Sequence, residues 1–92
     1  MKITPENRVK VQLRLLLNEL GFFHYPAVAG PYSVGGVPDI IGCYKGKFVG
    51  MECKAPGKLP TALQLKFKEK IEASSGKWFL IDGEESMARL RE

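Results

Sequence analysis

The feature that most constrains this chain is a pair of apolar, strand-like runs, 37–44 and 47–54, joined through Lys45-Gly46. Alternating side chains on either side of a two-residue connection predict a β-hairpin, although Lys-Gly is a weaker turn signal than Asn-Gly. A two-residue loop sets the register: Tyr44 pairs with Lys47 and, stepping outward, Asp39 faces Glu52. A bulge at Gly46 would shift that register by one residue and separate the two acids.

In the unshifted register the two carboxylates stand opposite one another with Cβ atoms about 4.5–5.5 Å apart. Like charges so placed destabilise a sheet, and burial raises the cost further. A divalent cation between them reverses the sign, and hard oxygen ligands at this spacing suit Mg²⁺ or Mn²⁺. Strand alternation puts Lys54 on the same face as Glu52 and turns the Cys53 side chain to the other. The Cys53 carbonyl is placed to complete a coordination shell. Two carboxylates for metal with an adjacent ammonium match what phosphodiester hydrolysis needs: an activated water and charge neutralisation at the phosphate. Asp39 as a strand-end charge and Glu52/Lys54 as a solvated pair is the plain structural alternative.

The flanking segments predict what surrounds this hairpin. Thr4-Pro5 is a good N-cap followed by proline at the first helical position. Val9, Leu13, Leu16, Leu17 and Leu20 then recur at helical spacing until Gly21 stops the helix, giving an amphipathic helix over about 5–20. Lys10, Arg14 and Asn18 are placed on its opposite, solvated face. Residues 22–28 read as a short strand that Pro26 restricts to an edge. Residues 30–36 read as a glycine-rich loop, where Tyr32 and Ser33 are candidate DNA contacts. After Pro56-Gly57 and Pro60, Thr61-Ala62-Leu63-Gln64 forms a capping box for a second helix with Leu63, Phe67 and Ile71 as its apolar stripe. Gly76 ends that helix, residues 78–81 form a further strand, and a short helix begins near Glu84. Strand, crossover helix, strand implies a parallel pair beside the antiparallel hairpin. The expected fold is therefore α/β, a small mixed sheet flanked by helices in the order α-β-β-β-α-β.

At 92 residues the chain is expected to be a single domain over residues 1–92. Its apolar fraction of 45% fits a globular fold, and its net charge of +4 favours polyanionic partners. Two cysteines, Cys43 and Cys53, lie in apolar runs and are expected to be small buried groups. A secreted domain of this size usually carries several disulfides, so an intracellular, cytoplasmic location is expected, whether in a cell's own protein or a virus-encoded one acting in its host. No signal peptide and no membrane-spanning run is visible. With His24 as the one histidine, neither a histidine metal cluster nor a Ser-His-Asp site is supported. The glycines at 30, 35 and 36 match neither a Walker A loop nor a dinucleotide fingerprint, so no organic cofactor is expected. Lys58, just past the second hairpin strand, is a candidate phosphate contact.

Val37-Pro38-Asp39, then Met51-Glu52-Cys53-Lys54, then Thr61-x-x-Gln64 resembles the PD-(D/E)XK nuclease superfamily, in particular its VRR-NUC branch (virus-type replication-repair nucleases), and is similar to Holliday-junction resolvases. The resemblance covers roughly residues 6–82. It implies a restriction-endonuclease-like core, metal binding by Asp39 and Glu52, catalytic assistance from Lys54, and a water-positioning or supporting role for Gln64. It also implies a glutamate early in the first helix near the metal. Glu6, close to the apolar stripe, is preferred over Glu19, which points away from it; a favourable charge in the first helical turn is the plain reading of Glu6.

The activity expected is Mg²⁺- or Mn²⁺-dependent DNA cleavage. So small a core has no room for an appended recognition domain, which favours structure-selective cutting of branched DNA, a Holliday junction or a flap. The resemblance implies a homodimer, with two active sites for two strands. A non-catalytic nucleic-acid-binding module of the same fold is the principal alternative, and a small regulatory protein acting on a protein partner is a more distant one.

Overall fold

The computed structural model describes residues 3–28 and 35–91. Helix α1 (Pro5–Glu19) begins where the Thr4 hydroxyl accepts a hydrogen bond from the Asn7 N–H at 3.1 Å, with proline in the first turn. Four strands follow, β1 (Phe23–Pro26), β2 (Ile40–Tyr44), β3 (Lys47–Cys53) and β4 (Lys77–Ile81), with α2 (Ala62–Ala73) between the last two. A short α3 (Glu84–Ala88) and a 3₁₀ turn (Arg89–Arg91) close the described chain. The sheet order is β1-β2-β3-β4, antiparallel until the final, parallel β3–β4 pair that α2 connects. This is the mixed α/β arrangement expected from the sequence.

The hairpin turn is as short as its spacing implies. Lys45 (φ 51°) and Gly46 (φ 81°) both adopt positive φ, the signature of a type I′ turn, whose twist matches that of the strands. Lysine tolerates this conformation poorly, which is why the pair is a weak signal in sequence. No bulge intervenes: Tyr44 pairs with Lys47, Cys43 with Phe48 and Ile40 with Met51. The β2 ladder starts later than the apolar run suggests, at Ile40, because Pro38 has no N–H to donate and Asp39 forms a bend. β1 lies at the sheet edge, as its proline demands.

Alternation along β3 divides the protein into two layers. Val49, Met51 and Cys53 join Val9, Leu13, Leu16 and Leu17 of α1, together with Ile40, Ile81 and Met87, in one buried cluster. Gly50 faces the other way, toward α2, where a Cβ would come within 2.8 Å of the Pro38 ring and 3.0 Å of Ile71 Cδ1. Glycine at this position lets α2 approach the sheet.

Two expectations about burial are corrected. Cys43 is exposed, because it lies on the α2-facing side of β2 beyond the part of the sheet that α2 covers; Phe23, Tyr25 and Phe48 are exposed there as well. Cys53 is fully buried, as expected. Leu63 is 58% exposed rather than part of a buried stripe, and only Ile71 of the predicted trio is buried. The first turn of α2 overhangs the end of the sheet, so it has Gly35 and Gly36 beneath it instead of strand side chains. Among the described residues, no helix is long and apolar enough to cross a membrane.

Candidate functional site

The β2–β3 register continues one step past the ladder and brings Asp39 beside Glu52. Asp39 Oδ2 accepts a hydrogen bond from the Cys53 backbone N–H at 2.8 Å. The N–H and C=O of one strand residue point toward the same neighbouring strand, so the Cys53 carbonyl is also directed to the Asp39 side. The Cys53 thiol points into the opposite layer, where burial, with the Asp39 carboxylate adding to it, pushes it up to about 12. Any contribution of Cys53 to a metal centre therefore comes from its backbone.

Glu52 is 3% exposed, an unusual environment for a carboxyl group. One of its oxygens, Oε1, accepts a hydrogen bond from Gln64 Nε2 at 2.8 Å. The other, Oε2, is buried without a hydrogen-bond donor among the described residues. Burial and the facing Asp39 carboxylate push Glu52 up to about 8, with Lys54 pulling the other way. Ionised together, the two carboxyl groups present acceptor to acceptor, an arrangement stable only with a cation or a proton between them.

Gln64 holds this geometry from α2. Its Oε1 accepts the Thr61 N–H at 2.8 Å while its Nε2 reaches Glu52, so one side chain closes the capping box and anchors the carboxyl. The Thr61 hydroxyl completes the box by accepting the Gln64 N–H at 3.2 Å. The helix cap and the site thus depend on each other.

From the opposite layer, α1 supplies Lys10. Its Nζ lies 3.6 Å from Asp39 Oδ1 and 3.6 Å from Glu6 Oε2. Burial opposes the charge, but Asp39 and Glu6 outweigh it and raise the lysine pKa. Sequence patterning put Lys10 on the solvated face of the helix; the structure places it, half-buried, at the site. The available signal was the i,i+4 spacing from Glu6, which puts the two side chains on one face wherever Glu6 points. Glu6 reaches Asp39 through Lys10. Among the described residues, no three His, Cys, Asp or Glu side chains are gathered closely enough to hold an ion. Glu19 is exposed and pairs with Arg91 at 3.4 Å, away from the site.

Lys54 follows β3 directly, half-buried, with its N–H donating to the Ile81 carbonyl at 3.0 Å. Among the described residues its ammonium makes no ion pair. Lys58 is exposed in the turn that Pro56 and Gly57 (φ 84°) form after β3. His24 is an edge-strand residue whose Nδ1 lies 2.8 Å from the Phe22 carbonyl. Tyr32 and Ser33 lie outside the described residues.

No family model matches the chain. A protein of Acyrthosiphon pisum secondary endosymbiont phage 1 named "Putative nuclease p44" is 28% identical to it over 86 residues, an alignment spanning 92% of this chain and 90% of that protein.

Proposed function

We propose that this chain is a metal-dependent DNA endonuclease of the VRR-NUC type, hydrolysing phosphodiesters at the centre formed by Asp39, Glu52 and Lys54. The observation that carries the reading is the buried Glu52 carboxyl set against Asp39, its Oε2 lacking a donor among the described residues. A fold gains no stability from such a pair, whereas a hard divalent cation fits its donor set. The similarity to a phage protein named as a nuclease supports the same reading.

Asp39, Glu52 and the Cys53 carbonyl are the groups that would hold Mg²⁺ or Mn²⁺, with Glu6 as an outer carboxylate beyond Lys10. The ion would supply a polarised phosphate and an acidified water. The protein does the rest. Gln64 fixes the rotamer of Glu52, and the Cys53 N–H and Lys10 fix Asp39 from two directions. Lys54, without a competing carboxylate partner among the described residues, is available to hydrogen-bond the attacking water or the charge developing on the phosphate. Lys58 contacts a flanking phosphate.

Branched DNA is the proposed substrate and a homodimer the proposed assembly, since cutting two strands of a junction requires two sites. Light scattering in solution checks the assembly. One observation favours the non-catalytic alternative: Lys10 already neutralises part of the acidic pair without any metal. A cleavage assay separates the two readings. The protein is incubated with a four-way junction, a flap and plain duplex in Mg²⁺, in Mn²⁺ and in EDTA. Metal-dependent cutting that favours the branched substrates is expected. DNA binding without cleavage under every metal condition would reject the enzyme.

A further inference from the structure

A second feature lies at the other end of β3, on the opposite face of the sheet. A cavity of about 370 Å³ opens between the hairpin turn, the start of β4 and the C-terminal 3₁₀ turn. Lys45, Lys47, Lys77 and Arg89 line it, and among the described residues no acidic side chain does. Among the described residues, none of the four makes an ion pair. The register explains their convergence: Lys47 pairs with Tyr44 across the hairpin, while Lys77 pairs with Val49 in the parallel ladder.

The floor of the cavity is apolar and partly aromatic. Tyr44 stacks on Phe22 with ring centroids 4.9 Å apart and planes 5° from parallel, and Phe79 packs against the core beside them. Lys45 Nζ sits 5.3 Å from the Tyr44 ring centroid. Tyr44 nevertheless remains 41% exposed. Four unneutralised cations around one concavity repel each other, and an anion relieves that repulsion. The volume is near the lower end of the range that admits small ligands. A partly exposed tyrosine ring among cations is matched to a planar base with phosphates on either side. A base inside a duplex cannot offer its face in this way.

We propose that this cavity binds one nucleotide of a single-stranded DNA segment, its base on the Tyr44–Phe79 floor and its flanking phosphates on Lys45, Lys47, Lys77 and Arg89. The assignment rests on the reading of the chain as a DNA-acting protein, but shares no residue with the carboxylate centre. Lys47 and Glu52 are separated along the extended strand by about 17 Å. The cavity therefore holds the strand at a distance from the bond that is cut, as an anchor for an unpaired region near a branch.

The test is fluorescence anisotropy of a labelled oligothymidylate in EDTA, so that no cleavage occurs. Replacing two surface lysines together, Lys47→Ala with Lys77→Ala, is expected to weaken binding at least about tenfold and to lower the log–log salt slope by about 1.4. Lys47→Arg with Lys77→Arg is expected to retain binding, which excludes a folding defect. An abasic oligomer of equal charge is expected to bind the wild type roughly tenfold more weakly, and Tyr44→Leu is expected to erase that difference. The proposal is overturned if the wild type does not bind the oligomer, or if the alanine pair binds with wild-type affinity and slope. Equal binding of the abasic strand, or equal competition by polyglutamate, also overturns it. Pocket-dependent binding without metal-dependent cleavage rejects the nuclease reading alone; cleavage with wild-type binding by the alanine pair rejects the pocket alone.

Discussion

The two faces of β3 carry opposite kinds of residue at alternating positions. Toward α1, Val49, Met51 and Cys53 are nearly or wholly excluded from water and pack in the main cluster. Toward α2, the strand offers Gly50, Glu52 and, just past its end, Lys54: no side chain, a buried acid and a half-buried cation. One face maximises apolar contact. The other spends burial on a carboxyl that has, among the described residues, one hydrogen bond and an opposing charge. Stability and chemistry are thus segregated by a period of two residues, so substitutions one position apart should fail in different ways.

Met51→Ala tests the apolar face. Met51 is wholly buried, and truncation should cost about 2–5 kcal/mol in denaturant unfolding, with metal affinity per folded molecule unchanged. A cost typical of surface positions would mean that the packed face does not carry the fold.

Asp39→Asn tests the other face. The asparagine oxygen still accepts the Cys53 N–H, so folding should be retained, while cleavage falls roughly a hundred- to a thousandfold. DNA binding in EDTA should persist or tighten as a negative charge is removed. Cleavage at the wild-type rate would remove Asp39 from the proposed metal centre.

Gln64→Ala should lower metal affinity or cleavage by roughly ten- to a hundredfold, since it releases Glu52. It also loses the capping box, so Thr61→Ala serves as the control: about 1 kcal/mol of stability lost through the cap, with the bond to Glu52 intact. Equal effects of the two variants on cleavage would mean that Gln64 acts only as part of the helix cap.

The smallest effect concerns pH. Glu52 rises from the ordinary 4.5 to about 8 on folding, so between these values the folded chain binds more protons than the unfolded one. Metal-free stability from this group is therefore full below the lower value and is lost as pH rises toward about 8. Melting temperatures across that window should decline with pH in EDTA, less so for Glu52→Gln, which should also be the more stable protein near the upper end. An identical slope in the variant would show that another group carries the dependence.

The elements with strong local determinants were legible from residue order. The leucine spacing and Thr4-Pro5 specify α1, and the Thr61–Gln64 pair specifies the start of α2. Other features depended on what lay across the fold. Cys43 reads as buried from its apolar neighbours but is exposed because α2 is too far along the sheet to cover it. Leu63 fits a helical stripe but extends beyond the sheet. Lys10 reads as solvated because one helix viewed alone does not reveal that Asp39 closes over its flank.

The sequence by itself determined two strands of alternating pattern around a two-residue connection, and so the register that opposes Asp39 and Glu52 wherever no bulge intervenes; the structure has none. A two-residue turn allows one pairing, and strand alternation then assigns every side chain to a face. Only the tertiary structure decided what surrounds those acids: Lys10 from one layer, Gln64 from the other, and a burial deep enough to leave Glu52 Oε2 without a donor among the described residues. The reason is range. Turn geometry and capping act between residues a few positions apart, whereas desolvation of a carboxyl depends on every element packed around it.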